Sequence, residues 1–225
     1  MELVAHFDME LHQMEQLYGA TRKLCVRRFK EYGLQIKEFH LWAQTNVSKY
    51  PVAKGDKFNL QQCPKGNLEI QEMQKVPYAS VVGNLMCAQV CTRPDIAYII
   101  GVLGKYLSNP GLGHWEATER VMRYLKRTRS CMLTYRRSDN LEIIGYSDSD
   151  FAGCQDSLRS TSGYVFLLAG GAISWKSSIQ GLTASSTMAA EFVALYEASN
   201  QEIWLKNFVT ELRILKGIER SLRFF

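Results

Sequence analysis

The sequence predicts an α+β protein in which a helical first part is followed by a mixed sheet with helices. Two observations carry this prediction. Apolar residues recur at helical spacing between residues 76 and 129, and Asn109-Pro110-Gly111 interrupts them. Between residues 141 and 176 the pattern changes to short β-prone runs, and Ala169-Gly170-Gly171 is typical of a hairpin turn between two of them.

The helical part is expected to contain two helices in residues 76–107 and a third in residues 113–129. The second helix should begin near Thr92, because Pro94 suits a first turn and the carboxylate of Asp95 is favourable at a helix N-terminus. In the third helix the spacing predicts that the apolar side chains point inward, namely Trp115, Met122 and Leu125.

The second part is predicted as strands at residues 141–147, 163–168 and 172–176, followed by a helix. Three hydroxyl residues could cap that helix, namely Ser185, Ser186 and Thr187. Four residues then follow at i, i+3, i+4 and i+7 and predict its core-facing side: Met188, Glu191, Phe192 and Leu195.

Three carboxylates in this second part are the candidate catalytic residues. Asp148 and Asp150 end a strand and share one of its sides, and Glu191 lies on the helix. A strand-borne Asp facing a helix-borne Glu is an arrangement by which two-metal nucleases hold divalent cations. The structural alternative is a partly exposed glutamate at the edge of an apolar stripe, which spacing alone favours.

Charge is unevenly distributed. Residues 1–139 hold 20 Lys/Arg against 13 Asp/Glu, whereas residues 140–225 hold 7 against 9. Seven basic and no acidic side chains lie in residues 120–137, a pattern that predicts contact with nucleic acid, although a solvated helix face is the alternative. The candidate binding residues are Arg120, Arg123, Lys126, Arg127, Arg129, Arg136 and Arg137.

Composition indicates an intracellular protein, cytoplasmic or nuclear. The six cysteines form no CxxC pair, so free thiols in a reducing compartment are expected. The N-terminus lacks the pattern of a signal peptide, and no apolar run is long enough to span a membrane. Arg220-Ser-Leu-Arg223 matches the Arg-x-Leu-Arg motif of secreted oomycete effectors, and we interpret it as a chance match.

Ordered motifs carry a resemblance to a known family. Residues 141–214, with Tyr146-Ser-Asp-Ser-Asp150 and Ser186-Thr-Met-Ala-Ala-Glu191, resemble the ribonuclease H domain of copia-type retrotransposon Pol polyproteins. Residues 51–135, with Cys91-Thr-Arg-Pro-Asp-Ile-Ala97 and Arg123-Tyr-Leu-Lys126, resemble that family's connection between reverse transcriptase and ribonuclease H. The start of the chain, up to Glu15, resembles the beginning of the reverse transcriptase palm.

The resemblance implies three regions: a poorly defined reverse transcriptase remnant at 1–50, a helical connection region at 51–137, and a truncated ribonuclease H-like domain at 138–225. It also implies that Asp148 and Glu191 match two metal ligands of the family, that Asp150 either assists Asp148 or substitutes for it, and that Mg²⁺ or Mn²⁺ is the cofactor of any remaining activity. The family's third aspartate would follow a strand that is expected at residues 221–225, where the sequence ends.

Three functional hypotheses remain open. The first is a degenerate Pol fragment whose ribonuclease H-like domain no longer hydrolyses RNA–DNA hybrids. The second is an active nuclease that obtains its missing carboxylate from another copy of the chain. The third is a non-enzymatic nucleic-acid-binding or interaction protein that uses the basic helical region and keeps the half-domain as a scaffold. Self-association through an uncovered sheet edge is a further expectation, and no membrane partner is expected.

Overall fold

A computed structural model describes residues 50–53, 56–131, 133, 135, 142–168, 170–211 and 223–224. The predicted remnant at 1–50 lies outside these residues except for Tyr50. Within them the chain is α+β, which confirms the predicted class. Four helices come first, then three strands, a long helix and a short fourth strand.

The helical part contains α1 (Asn67–Gln74), α2 (Tyr78–Thr92), α3 (Ala97–Leu103) and α4 (Leu112–Arg127). A short 3₁₀ turn at Pro94–Ile96 links α2 to α3, so the chain turns where Pro94 and Asp95 predict a helix start. The predicted third helix is confirmed as α4, in which Trp115 is buried while Met122 and Leu125 are half-buried against the same core.

The sheet is formed by β1 (Ile143–Ser149), β2 (Thr161–Leu168), β3 (Gly171–Ile179) and β4 (Arg223–Phe224). Its strand order is β3-β2-β1-β4, in which the first two pairs are antiparallel and β1 pairs in parallel with β4. Because β1 ends at Ser149 and not at residue 147, Asp148 lies within the strand opposite Gly163. Gly170 takes the positive φ of 79° that the hairpin turn between β2 and β3 requires.

The described core falls into two clusters. One lies among the helices, where Val82, Ile96, Leu103 and Val121 have no exposed surface. The other lies between the sheet and α5 (Thr187–Glu211) and includes Ile143 and Phe166. The predicted domain boundary at 137/138 lies among residues outside the described ranges, so it stays a prediction.

The two parts meet at a joint formed by the loop after β1. Asp156 accepts hydrogen bonds from the Leu60 backbone N–H at 2.8 Å and from the Tyr106 hydroxyl at 2.9 Å. Asn59 donates its side-chain amide to Gln155 at 2.9 Å. These bonds fix the loop that follows β1 against the helical part, so the site at the end of β1 lies beside the helices.

None of the described helices is both long enough and apolar enough to cross a lipid bilayer. The described cysteines (Cys63, Cys87, Cys91, Cys131 and Cys154) are free thiols, as the sequence predicts for them.

Candidate functional site

The end of β1 presents its carboxylates on one side of the sheet. Side chains alternate along a strand, so Tyr146, Asp148 and Asp150 share a side, whereas Ser147 and Ser149 share the other. The prediction that the two aspartates lie on one side therefore agrees with the register of the strand. Asp148 is exposed, and Asp150 is half-buried at the point where the strand ends.

The helix α5 packs on the opposite side of the sheet from Asp148. Its buried residues contact Ile143 of β1 together with Phe166 and Leu168 of β2. Residues 143 and 148 have opposite parity in the strand and therefore point to opposite sides. Lys176 of β3, on the side of α5, forms an ion pair with Glu197 of that helix at 3.3 Å.

A cleft of about 740 Å³ lies on the Asp148 side, between the sheet and the helical part. Its aromatic and acidic lining comes from both parts of the chain: Asp95, Tyr98, Tyr146, Asp148, Asp150, Tyr164 and Trp175. Trp175 donates its indole N–H to the Gln89 carbonyl of α2 at 3.1 Å, which attaches β3 to the helical wall. Burial raises the pKa of Tyr98, and the nearby carboxylate of Asp150 adds to that rise.

Asp150 is engaged in holding the loop after β1. Its Oδ1 accepts the backbone N–H of Thr161 at 2.5 Å, and its own N–H donates to the Thr161 carbonyl at 3.1 Å. The same carboxylate lies against the Cα of Gly153, where any larger residue would meet it. These contacts give Asp150 a structural role at this turn, whether or not it also binds a cation.

Asp95 contributes a carboxylate from the helical wall, but that carboxylate is already paired. Arg93 donates to it through Nε at 2.9 Å and Nη2 at 2.6 Å, and the Tyr124 hydroxyl donates at 2.7 Å. Burial opposes the charge of Asp95, yet these hydrogen bonds outweigh it and lower its pKa. From the sequence, Asp95 was predicted only to favour a helix N-terminus. No sequence pattern indicated that it lines the cleft.

The N-terminus of α5 places Glu191 at the same end of the sheet. Ser186 caps the helix by accepting the Ala189 N–H at 3.1 Å, as one of the three predicted caps. Gln180, which is buried, donates to the Ser162 hydroxyl and to the Ala190 carbonyl, both at 2.8 Å. The helix start is thereby attached to β2 beside Ser149, which pairs with Ser162.

The predicted core-facing side of α5 is wrong. Met188 and Phe192 are 80% and 70% exposed, and Leu195 and Glu191 are exposed too. The helix instead buries residues that are mostly small: Ala190, Ala194, Ala198, Leu205 and Val209. Alanines let the helix axis approach the sheet closely. The helix therefore packs this side against the sheet and leaves the side with the larger apolar side chains exposed.

The described residues do not form a ready metal site. No group of three or more His, Cys, Asp or Glu side chains that could hold an ion occurs among them, so Asp148, Asp150 and Glu191 do not converge. Asp148 points away from α5, whereas Glu191 belongs to α5 and is exposed to solvent. Among the described residues, therefore, no set of three protein ligands for a resident divalent cation is assembled.

The basic residues in and just after α4 differ in their exposure to solvent and in their contacts with acidic residues. Arg120 forms an ion pair with Asp56. Burial raises the pKa of Glu119, and the nearby charge of Arg123 offsets part of that rise. Arg127 and Arg129 are exposed at the C-terminal end of the helix, and Lys126 is half-buried. The remaining two candidates, Arg136 and Arg137, lie outside the described residues.

Comparison with known proteins identifies the family. No family model matches the chain, and no solved structure matches it. It is 41% identical over 219 residues to the Retrovirus-related Pol polyprotein from transposon TNT 1-94 of Nicotiana tabacum, which covers 94% of this chain and 16% of that protein. It is 35% identical over 137 residues to the corresponding polyprotein from transposon RE2 of Arabidopsis thaliana, or 61% of this chain and 9% of that protein.

A third relative is much shorter. The chain is 46% identical over 133 residues to Secreted RxLR effector protein 161 of Plasmopara viticola, which covers 59% of this chain and 94% of that protein. The chain thus spans most of this short relative but only a small part of the two polyproteins. The predicted family is confirmed: the chain belongs to the retrovirus-related Pol polyproteins of transposons.

Proposed function

We propose that this chain is a degenerate, ribonuclease H-like segment of a retrotransposon Pol polyprotein that does not hydrolyse RNA–DNA hybrids. The observation that carries this proposal is the separation of the two family-matched carboxylates. Asp148 faces the aromatic cleft on one side of the sheet, and Glu191 lies on the helix that covers the other side. The order of the motifs and the parallel pairing of β1 with β4 support the ribonuclease H-like part.

Hydrolysis of a phosphodiester by two metal ions requires ligands that converge on ions about 4 Å apart. Mg²⁺ in addition demands near-octahedral oxygen ligands at about 2.0–2.1 Å. To reach a common site, the start of α5 would have to move relative to β1. The hydrogen bonds of Gln180 to Ser162 and to the Ala190 carbonyl oppose such a movement. No catalytic step is therefore assigned to a metal at these residues.

The experiment is cleavage of a labelled RNA–DNA hybrid in Mg²⁺ and in Mn²⁺. The wild-type chain is compared with Asp148→Asn and Glu191→Gln, an active ribonuclease H serves as positive control, and circular dichroism verifies the fold of each variant. We expect no cleavage above background from any of the three chains. Cleavage by the wild type that both substitutions abolish would overturn the proposal and favour an active nuclease that completes its site in trans.

A second candidate function is binding of nucleic acid through the C-terminal end of α4. The observation in its favour is that Arg127 and Arg129 are exposed within a stretch that holds no acidic residue from 120 to 137. Exposed guanidinium groups can neutralise phosphates and release counterions, which makes affinity depend on salt.

This function is tested by fluorescence anisotropy with a labelled hybrid at several salt concentrations. Replacing Arg127 and Arg129 by Ala should weaken binding and reduce the salt slope by about one unit per phosphate contact that is lost. The double variant Lys65→Ala/Lys75→Ala removes the same charge from exposed positions elsewhere in the helical part and should leave the slope unchanged. Equal effects of the two double variants would argue against a defined site.

A further inference from the structure

The helix α5 is apolar on its outside as well as on its sheet-facing side. Seven large apolar side chains on this helix are between 42% and 80% exposed: Met188, Phe192, Leu195, Tyr196, Ile203, Trp204 and Phe208. A helix that is apolar all round is normally buried on all sides. We call these seven residues the outer apolar face of α5.

The size of this face matches one side of a stable protein interface. Met188, Phe192, Leu195, Tyr196 and Ile203 share the side away from the sheet, and at about 200 Å² for each side chain their exposed fractions correspond to roughly 600 Å². Trp204 and Phe208 lie on the flank of this side. Interfaces of standard size bury about 600–1,000 Å² on each partner. Exposed patches of more than a few hundred Å² are uncommon on monomers and mark interaction sites.

The sequence along this face is suited to pairing with itself. Phe192, Tyr196, Ser199 and Ile203 follow at i, i+4, i+7 and i+11, which places them on the side of the helix away from the sheet. The middle of this stripe lies close to residue 198. An antiparallel copy of the same helix, related by a two-fold axis near residue 198, therefore places Phe192 of one copy beside Ile203 of the other.

The charges beside the stripe agree with the same register. Glu191 and Lys206 lie on one flank of α5, about 22 Å apart along the helix axis, and their midpoint also falls near residue 198. In an antiparallel pair equal flanks meet, so Glu191 of each copy lies beside Lys206 of the other. Two independent features, the apolar stripe and the charges, thus select one two-fold axis.

We propose that the outer apolar face of α5 is the interface of a homodimer in which two α5 helices pack antiparallel about a two-fold axis near residue 198. The dimer buries Phe192, Tyr196 and Ile203 along the apolar stripe and pairs Glu191 with Lys206 on one flank at both ends. This interface is on the helix and differs from the sheet edge at which self-association is expected from the sequence. It does not depend on whether the chain cleaves or binds nucleic acid.

Sedimentation equilibrium of the full chain over a wide concentration range tests the dimer. We expect a monomer–dimer equilibrium for the wild type. Phe192→Glu places a carboxylate beside Ile203 of the other copy, at two positions of the dimer, and should weaken the dimer by more than about a hundredfold. Leu182→Glu is the matched control, because Leu182 is 77% exposed in the loop before α5 and should leave the equilibrium unchanged.

A charge exchange tests the register. Glu191→Lys and Lys206→Glu should each weaken the dimer by about tenfold, because each creates two like-charge contacts, and the double variant should restore it. A chain that stays monomeric at all concentrations overturns the proposal. This includes the case in which other residues of the same chain cover the outer apolar face of α5. Assembly that Phe192→Glu leaves intact, or a double variant without restoration, overturns it as well.

Discussion

The Tyr106 hydroxyl donates a hydrogen bond to Asp156 at 2.9 Å and so connects the helical part to the loop that follows β1. Burial raises the pKa of Tyr106, and the hydrogen bond to Asp156 raises it further. Asp156 also accepts the Leu60 N–H, so one carboxylate bonds two separate segments of the helical part. Asp156 thus holds the sheet beside the helices together with the Trp175–Gln89 and Asn59–Gln155 bonds.

Removing this hydroxyl is expected to loosen the joint without damaging either core. Tyr106→Phe should lower the free energy of unfolding by about 1 kcal/mol, the usual contribution of one hydrogen bond. Urea denaturation measures the change. Gln155→Ala, which removes the exposed bond to Asn59, is the comparison and should cost less. An unchanged midpoint for Tyr106→Phe would mean that the bond contributes nothing to stability.

The two glycines at the start of α4 should respond differently to alanine. A Cβ at Gly111 would collide with the backbone carbonyl of Gln62, and a backbone atom cannot move aside easily. Gly111→Ala should therefore destabilise the chain by about 1–3 kcal/mol. A Cβ at Gly113 would meet no atom within 4 Å, so Gly113→Ala should be neutral or slightly stabilising. Thermal unfolding of both variants checks this order, and equal effects would contradict it.

Buried His114 is expected to make stability fall on the acid side of neutrality. Burial lowers its pKa, and its Nδ1 accepts the Gly111 N–H at 2.9 Å, which requires the neutral ring. Protonation therefore favours the unfolded chain, whose histidine titrates near its ordinary pKa of about 6.5. The stability that the neutral ring provides is complete above that pH and is lost as pH falls towards the lower pKa of the folded state.

Urea denaturation between pH 7.5 and pH 5.5 measures this dependence, in a range where aspartates with ordinary pKa values remain ionised. His114→Asn offers a side-chain carbonyl to the same Gly111 N–H and has no ionisable ring, so its stability should vary less with pH. If the free energy of unfolding of the variant falls equally steeply with decreasing pH, a group other than His114 causes the dependence.

The contact between Asp150 and Gly153 should appear as a coupling between two substitutions. Gly153→Ala forces the Asp150 carboxylate to leave its bond with the Thr161 N–H, at a cost of about 1–2 kcal/mol. In a chain that already carries Asp150→Gly, the same substitution meets no carboxylate and should cost much less. A double-mutant cycle by urea denaturation gives the coupling, and additive effects would mean that the clash is relieved without cost.

The sequence predicted the helices and the hairpin because their signals are local. Asn109-Pro110-Gly111 precedes α4, and glycines mark the turn between β2 and β3. The inner side of α5 could not be predicted in the same way, because this helix is apolar in several directions. Spacing selected the side of Met188 and Phe192, whereas close packing selected the smaller Ala190, Ala194 and Ala198.

The candidate site was predictable in part. Strand alternation correctly placed Asp148 and Asp150 on one side of β1, because that relation follows from the backbone alone. Which side of the sheet α5 covers depends on contacts with Phe166 and Leu168, and no local pattern encodes this choice. The position of Tyr98 in the cleft could not be predicted either, since it depends on how two parts of the chain that are distant in sequence pack together.

The joint has a consequence for how the chain folds. The bonds from Asn59 to Gln155 and from Leu60 to Asp156 each connect positions 96 residues apart, whereas the β2–β3 hairpin and the α2–α3 contacts are local. Long loops close late because their entropy is lost before their contacts form. We therefore expect both cores to form first and the cleft between them to be completed last, so that hydrogen exchange at the Leu60 amide reports this final step.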